Sequence, residues 1–333
     1  MSYDLILLRH GKSDWDNDET DFNRPITDRG KRGAQRMGIY LAQKDLKPDM
    51  VISSPAERAK TTAQKMMKSM GETDHYIIYD HRVYQNSLDD LLEVLSGISE
   101  ETKRVILVGH NPGLEELLTY LCNKKINLAD DAKLLTTATI ARLSLPSSWN
   151  NIKKNGAELV EIKRSTSLPK KFPYPGYDGN EKRVRPAYYY TQSSVIPYRL
   201  NKGKLEILLV LSSKNKHYVV PKGIKEPGLS PRESAAKEAM EEAGVEGKIA
   251  VDPIGTYQCE KWKATCTVSV YPMEVTKVIE EEDWEEKHRT REWFSVDEAA
   301  EKLFQPALKP MVLELQQYLT NTIPHPKGTP FGA

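Results

Sequence analysis

The sequence predicts an α/β protein built as two domains. Three observations lead there. At 333 residues the chain exceeds what one ordinary core organises, and length alone favours about two domains. Short apolar runs alternate with amphipathic ones through the first half, the pattern of a largely parallel sheet covered by helices on both faces. Between the halves, RSTSLPKKFPYPGYDGNEKRVRP from Arg164 to Pro186 is dense in Pro, Gly, Lys and Ser and has no apolar period, as expected of a linker. The expected division is a first domain over 1–163, a linker over 164–186, a second domain over 187–320 and a flexible tail over 321–333, which carries PHPKGTPFGA.

Taken in order, LILLRH, DMVISS, HYIIYD and RVILVGH read as strands, and GKRGAQRMGIYLAQK, AERAKTTAQKMMKSMG, SLDDLLEVLSG and GLEELLTYLCN as the helices that alternate with them. Ligands of such sheets bind beyond the carboxyl ends of the strands, where His10 and His110 fall. The second half opens with strands SVIPYRL and KLEILLVLSS, and a Pro/Gly turn then leads into a helix. Ser230, Pro231 and Glu233 form a capping box with proline at the first helical position. Gly244 is suited to stop that helix. Strands GTYQCEKW, TCTVSVYPMEV and TREWFSV and helices VDEAAEKLF and ALKPMVLELQQYLT complete this half, and no internal repeat relates it to the first.

Composition excludes several classes. Hydrophobic residues at 39% and charged residues at 29% are ordinary for a soluble globular chain. The 48 Lys+Arg against 47 Asp+Glu leave a net charge of +1, so no overall field recruits nucleic acid or an anionic membrane. Anion binding must come from local clusters. Cys122, Cys259 and Cys266 are odd in number, widely spaced and in no CxxC pattern, which argues against a zinc site or a disulfide framework and for a reducing cytoplasm. No apolar stretch approaches the length of a membrane span.

A lone histidine near a strand is most often structural or a metal ligand. Arg9 beside His10, and Arg58 just after the strand DMVISS, change that reading, because guanidinium groups repel a metal cation and grip phosphate oxygens bidentately. Together LLRHGKSDW, RPITDRG, SSPAERAKTTA and VGHNPGLEELL resemble the histidine phosphatase superfamily, and particularly its SixA-type phosphohistidine phosphatase branch, from about Tyr3 to about Lys163. The resemblance implies a three-layer α/β/α domain in which His10 attacks phosphorus and becomes phosphohistidine. Arg9, Arg58 and His110 would then stabilise the equatorial oxygens. Ser13 and Asn17 either contact the same group or cap their own loop. Asp14, Asp16 and Asp18 have the look of a solvated run, so no general acid is assigned. A site without one favours leaving groups that depart with little protonation, such as phosphohistidine imidazole or a phosphoanhydride.

On the predicted helix of the second half, Glu238, Glu241 and Glu242 stand at i, i+3 and i+4 and share one face, with Ala236, Ala239, Met240 and Ala243 opposite to pack on a sheet. Taken alone the glutamates are an ordinary acidic face or a cation site. Like charges at this spacing cost roughly 0.2–0.5 kcal/mol per pair, and Mg²⁺ takes oxygen ligands and bridges to phosphates. GIKEPGLSPRESAAKEAMEEAGV resembles the Nudix box, with Gly223, Glu238, Glu241, Glu242 and Gly244 in register. Leu229 stands in place of its first glutamate and Lys237 in place of its arginine. The likeness covers about Ala187 to Leu319, and EILLVLSSKNKHYVVPKG with EEDWEEKHRTREWFSVDEAAEKL resembles the diphosphoinositol polyphosphate phosphohydrolase branch, whose relatives also cleave dinucleoside polyphosphates.

That resemblance implies an α/β/α sandwich with a mixed sheet. It also implies Mg²⁺ or Mn²⁺ on Glu238, Glu241, Glu242 and the carbonyl of Gly223, with a carboxylate, Glu238 first, serving catalysis. Glu282, Glu285 or Glu286 either adds a carboxylate or belongs to a solvated run. Lys214, Lys216, Lys222, Lys261, Lys263, Arg289 and Arg291 flank the strands around the box. Of these Lys222, Lys214 and Arg289 are the candidates to hold a polyphosphate, each being otherwise a surface charge. Trp262 and Trp284 are open to base stacking, while Trp293 reads as core. The expectation is a bifunctional phosphohydrolase acting on nucleotides or inositol pyrophosphates, with a phosphohistidine protein also open and no cofactor at the His10 site. The alternative is a phosphohistidine phosphatase regulated by a Nudix half that senses a ligand without turnover.

Overall fold

β1 (Tyr3–Arg9) shows why the first strand is an unbroken apolar run. Leu5 and Leu7 point into one core and Ile6 and Leu8 into another, all fully buried, because helices cover both faces of the sheet. A computed structural model describes residues 3–73, 76–85, 87–122, 133–146 and 148–322. It divides into two units, Met1–Ala187 and Tyr188–Ala333. No helix among the described residues is long and apolar enough to cross a membrane.

In the first unit β1 is followed by α1 (Asp28–Gln43), β2 (Met50–Ser53), α2 (Glu57–Met70), β3 (Ile77–Tyr79), α3 (Arg82–Gln85), α4 (Leu88–Ser96), β4 (Arg104–Gly109) and α5 (Gly113–Leu121). β5 (Thr139–Leu145), β6 (Glu158–Arg164), β7 (Phe172–Tyr174) and β8 (Glu181–Arg183) complete it. The strand order is β3-β2-β4-β1-β5-β6. β1 to β4 run parallel, while β5 and β6 add an antiparallel edge absent from the sequence-based expectation. α1 and α2 bury Met37, Leu41, Met66 and Met67 against one face. α4 and α5 bury Leu91, Leu95, Leu114 and Leu118 against the other.

The stretch expected as a linker is folded into this unit. Arg164 ends β6, a 3-10 turn spans Ser165–Ser167, and β7 and β8 pair as a hairpin. Phe172 is buried, Arg185 pairs with Asp28 at 3.0 Å, and Gln43 Nε2 donates to the Tyr177 carbonyl at 2.8 Å. Pro175 and Gly176 sit in the turn between β7 and β8, while Pro173 lies within β7. The expected tail lies outside the described residues from 323 onward.

The second unit runs β9 (Thr191–Asn201), β10 (Lys204–Leu211), β11 (Tyr218–Val219), β12 (Lys222–Ile224), α6 (Pro231–Ala243), β13 (Val245–Ile249), β14 (Gly255–Lys261), β15 (Ala264–Val278), β16 (Arg291–Ser295), α7 (Val296–Lys302), α8 (Leu308–Leu313) and α9 (Leu315–Thr322). Its sheet is mixed, in the order β11-β10-β9-β15-β13, with β12 beside β9, β14 beside β15 and β16 beside β10. β9 and β15 are parallel, and the other pairs are antiparallel. α6 covers one face over Val195, Leu208 and Tyr271, and α7 to α9 cover the other over Ile196, Leu209 and Val270.

The capping box of α6 forms as expected: Ser230 Oγ accepts from Glu233 N at 3.2 Å, and the Glu233 carboxylate accepts from Ser230 N at 2.7 Å. Gly244 closes the helix in the left-handed region at φ 60°. The packing face differs from the expected one. Ala235, Ala239 and Ala243, four residues apart, are fully buried, whereas Met240 is 42% exposed.

Close backbone approach positions the loop after β1. A Cβ on Gly30 would lie 2.4 Å from the Lys12 carbonyl oxygen and 2.5 Å from Ile26 Cγ1. Gly30→Ala is expected to destabilise the first unit by about 1–3 kcal/mol in denaturant melts, the cost of forced overpacking. Gly97→Ala meets nothing closer than 3.6 Å and is expected to be neutral or stabilising by up to about 1 kcal/mol. Equal effects of the two would refute this account of the loop.

Candidate functional site

Each unit gathers its candidate residues by a separate route. In the first, parallel pairing sets Arg9 opposite Gly109, and His10 N donates to the Gly109 carbonyl at 3.0 Å. A histidine follows each strand directly, so the His10 and His110 rings lie side by side, 4.9 Å between centroids. His10 Nδ1 is 2.8 Å from the Gly11 carbonyl oxygen. A carbonyl only accepts, so Nδ1 carries the proton and Nε2 keeps its lone pair. Burial, reinforced by the charges of Arg58 and Arg9 and only partly opposed by the Gly11 carbonyl, brings the His10 pKa down to about 4. Burial, with His10 and Arg58 adding to it, brings His110 down to about 3. His110 Nε2 is 2.8 Å from Ser54 Oγ. Both imidazoles are therefore neutral near pH 7.

Arg58 stands in the first turn of α2, and Asp21 orients it. Its Nη2 is 2.9 Å from Asp21 Oδ2, and its Nη1 donates to the Asp21 carbonyl. Asp21 also pairs with Arg24 at 3.0 Å and accepts from the Tyr84 hydroxyl at 3.0 Å. Burial works against its ionisation, but the hydrogen bonds from Arg58 and Tyr84 prevail and hold its pKa below the usual carboxylate range. Arg9 Nη1 donates to the Leu135 carbonyl at 2.7 Å. Ala138 N donates to the carbonyls of Arg9 and His10 at 3.1 and 3.2 Å. It does so from φ 53°, a strained conformation for a residue with a Cβ.

A cavity of about 620 Å³ opens in front of His10. Arg9, His10, Ser13 and Arg58 all line it, so four of the expected residues meet there. His110 packs against His10 without being part of the lining. Asn17 caps its own loop: its Nδ2 donates to the Asp14 carbonyl at 3.2 Å and its Oδ1 accepts from Glu19 N at 3.0 Å. Asp14, Asp16 and Asp18 do not line the cavity, whereas Asp21 does. Lys12, Arg24, Arg29 and Arg164 were missed by sequence reasoning, since no local pattern ties them to His10 and Arg164 sat at the start of the supposed linker.

In the second unit α6 lays its acidic face against the β12 segment. The Glu238 carboxylate fills the space where a Cβ on Gly223 would stand, with Oε1 1.7 Å from that point, so a side chain there would push the carboxylate aside. Burial, then the charges of Glu242 and Glu241, raise the Glu238 pKa to about 8. Burial also raises Glu241, with the Lys237 charge opposing it. Burial raises Glu242 against the pull of the Lys222 N–H and Arg289. Glu242 accepts from Lys222 N and from Arg289 Nη2, each at 2.8 Å.

Several expectations change here. Arg289 is buried and held between Glu242 and Glu286, its Nε 2.5 Å from Glu286 Oε2, so it braces a carboxylate instead of facing a ligand. Lys214 is exposed between β10 and β11, with no hydrogen bond or ion pair to the glutamates among the described residues. Lys222 Nζ donates to the buried Gln192 at 3.0 Å. Nearby Lys261 has its pKa lowered by burial and by the Lys222 charge. Arg291 caps the end of α6, donating to the Ala243 and Gly244 carbonyls at 3.0 and 2.9 Å. Trp284 is buried and donates to the Glu241 carbonyl at 2.9 Å. Lys237 lies 3.9 Å from Glu226 and 3.6 Å from Glu241. Glu226, three residues before Leu229, thus supplies the carboxylate facing Lys237.

Among the described residues no three His, Cys, Asp or Glu side chains stand close enough together to hold a metal as they lie. The donor chemistry nevertheless suits a hard divalent cation. Glu238, Glu241 and Glu242 are oxygen donors on one helix face whose proton affinity burial raises, with the charges of Glu242 and Glu241 adding to it at Glu238, and such a cation would offset that cost.

Residues 5–82 match the family model of the histidine phosphatase superfamily (branch 1), and residues 190–315 match that of the NUDIX domain. The first match ends before β4, which leads to His110. Nudix hydrolase 12, mitochondrial, of Arabidopsis thaliana is 36% identical over 148 residues, 38% of this chain and 68% of that protein. Diphosphoinositol polyphosphate phosphohydrolase 2 of Rattus norvegicus is 39% identical over 102 residues, 29% of this chain and 54% of that protein. The 2,3-bisphosphoglycerate-dependent phosphoglycerate mutase of Azorhizobium caulinodans is 34% identical over 103 residues, 30% of this chain and 48% of that one. The chain spans about half the length of these last two relatives.

The two depressed histidines give a pH signature. Below its ordinary pKa of 6.5 an unfolded histidine takes up a proton that folded His10 refuses until about pH 4. Stability of the first unit should therefore fall as pH drops from about 6.5 towards 4. His10→Gln should flatten that slope in urea melts at graded pH, and an unchanged slope would contradict the assignment. In the second unit Mg²⁺ or Mn²⁺ should raise the melting temperature, and Glu238→Gln should abolish the rise.

Proposed function

From a chain that belongs to the Nudix family and carries a histidine phosphatase domain ahead of its Nudix domain, we propose a bifunctional phosphohydrolase. The second unit cleaves a phosphoanhydride in a nucleoside or dinucleoside polyphosphate or a diphosphoinositol polyphosphate. The first removes an exposed phosphoryl group through phosphohistidine. The observation that carries the proposal for the first unit is the neutral His10, its Nδ1 proton held by the Gly11 carbonyl and its Nε2 left with a lone pair in a cationic cavity.

In the first unit the Nε2 lone pair attacks phosphorus, the bond to the leaving group breaks, and a water later attacks the phosphohistidine to release phosphate. Arg9 and Arg58 stabilise charge on the equatorial oxygens, each oriented by an oxygen partner, the Leu135 carbonyl and Asp21. His110, neutral before substrate arrives, supplies hydrogen bonding. Asp21, the one acid among the described lining residues, is held ionised by Arg58 and Tyr84 and is a poor proton donor. This supports leaving groups that need little protonation, an anhydride or a phosphoimidazole.

In the second unit a divalent cation, Mg²⁺ or Mn²⁺, would supply Lewis-acid polarisation and an acidified water when bound. Glu238, Glu241 and Glu242, with the Gly223 carbonyl, are the residues that would hold it. One of these carboxylates, Glu238 first, would take a proton from the attacking water, ionised once a cation offsets the burial and the Glu242 and Glu241 charges that raise its proton affinity in the free protein. Lys222 and Lys261, close enough for their charges to interact, are placed to meet phosphate oxygens. The diphosphoinositol relative supports the substrate class. A cytoplasmic location is proposed from the cysteine usage.

The test is a panel of phosphoanhydrides and phosphohistidine proteins assayed with and without chelator. Chelation and Glu242→Gln should lower the metal-dependent anhydride cleavage at least about 100-fold, as loss of a charged group at the reaction centre does. His10→Ala should remove only the metal-independent activity. Its acid limb should fall near pH 4 and not near 6.5, because neutral His10 persists down to about 4. A single substitution removing both activities would overturn the two-site reading. Ligand binding without turnover in the second unit would favour the sensor alternative, for which Leu229 and Lys237 are the motive.

A further inference from the structure

The cavity before His10 is larger and more positive than one phosphoryl group requires. At about 620 Å³ it lies in the range of sites that enclose whole small molecules. Lys12, Arg24, Arg29 and Arg164 line it in addition to Arg9 and Arg58, and Asp21 is the only acid among the described lining residues. Asp21 is already engaged by Arg58 and Arg24. Lys12, Arg29 and Arg164 have no ion-pair partner among the described residues, and the buried Arg164 Nε has no hydrogen-bond partner. The whole chain carries only +1, so the concentration of charge is local.

These three cations come from distant parts of the chain and are held on rigid supports. Lys12 follows β1, Arg29 lies in the first turn of α1, and Arg164 ends β6. The Lys12 carbonyl accepts from Thr27 N and Thr27 Oγ1, each at 2.9 Å, which ties its loop to the start of α1. A Cβ on Gly33 would lie 3.3 Å from Ser165 Oγ, so α1 also packs closely on the residue after Arg164. Like charges assembled without a counter-charge raise the energy of the free protein, and an anionic ligand offsets that cost.

We propose that Lys12, Arg29 and Arg164 form a second anion subsite, and that the substrate of His10 is a small molecule with at least two phosphate groups. One phosphate meets Arg9 and Arg58 and transfers to His10, and the other is held by the three outer cations. The inference rests on the phosphatase reading of His10 and narrows it. A phosphohistidine in a protein brings one phosphoryl group and leaves the outer cations unmatched.

Binding to the full chain in chelator, followed by calorimetry, tests this with inorganic phosphate and inorganic tripolyphosphate as probes. Tripolyphosphate should bind at least about 10-fold more tightly than phosphate, as extra charge-assisted hydrogen bonds require. Lys12 and Arg29 are exposed, so the K12M/R29Q double variant should retain its melting temperature. It should lose most of the tripolyphosphate advantage, while phosphate affinity falls less than about 3-fold. Arg164→Met should act in the same direction. Equal affinity of the wild type for both probes, or parallel loss of both in the double variant, would overturn the subsite. Whether His10 becomes phosphorylated is read separately by acid-labile phosphate on the protein, so failure of the phosphatase reading and failure of the subsite are distinguishable.

Discussion

The arrangement in the first unit depends on the register between β1 and β4. Arg9 pairs with Gly109, and this alignment brings the next residue of each strand to the same level beyond the sheet. A slip of one residue would turn a strand's buried set onto the wrong face. With Leu5 to Leu8 and Val105 to Val108 all fully buried, two packed cores resist such a slip. The histidine pair is thus held in place by hydrophobic packing well behind it. Arg58 and Asp21 then tune a pair that the sheet has already aligned.

The second unit gathers its polar groups differently. A capped helix carries the glutamates, and alanines four residues apart on its inner side let it lie close to the sheet. Gly223 leaves room for one carboxylate, and Arg289 and Lys237 engage the other two. Three half-buried acids on one short helix would be costly if left without such partners. Both units therefore concentrate one sign of charge at a site and restrain it with a few counter-charges, cationic in one and anionic in the other.

Much of this was legible in the sequence where the signal is local. Strand ends marked His10 and His110, the short spacing from the second strand marked Arg58, and the capping box marked the start of α6. What was not legible depends on contacts between distant segments. Arg164 lies in a stretch rich in turn residues, yet β6 carries it to the cavity. β5 and β6 join an otherwise parallel sheet as an antiparallel edge, which alternation of strands and helices does not reveal. Asn17 satisfies its own loop, an outcome that local sequence leaves equal with ligand contact. The face of α6 shifted because Ala235 and not Met240 fills the space against the sheet. Glu226 reaches Lys237 although the box places its glutamate at position 229.

The partner of His10 Nδ1 is a main-chain oxygen, and this has a genetic corollary. Every amino acid has a carbonyl, so replacing the side chain at position 11 cannot delete the acceptor itself; it can only displace it. The two ring nitrogens are inequivalent before any substrate arrives, and a phosphorylated intermediate would form as one regioisomer. Mutational drift can alter the cavity around His10 more readily than which of its ring nitrogens keeps the lone pair.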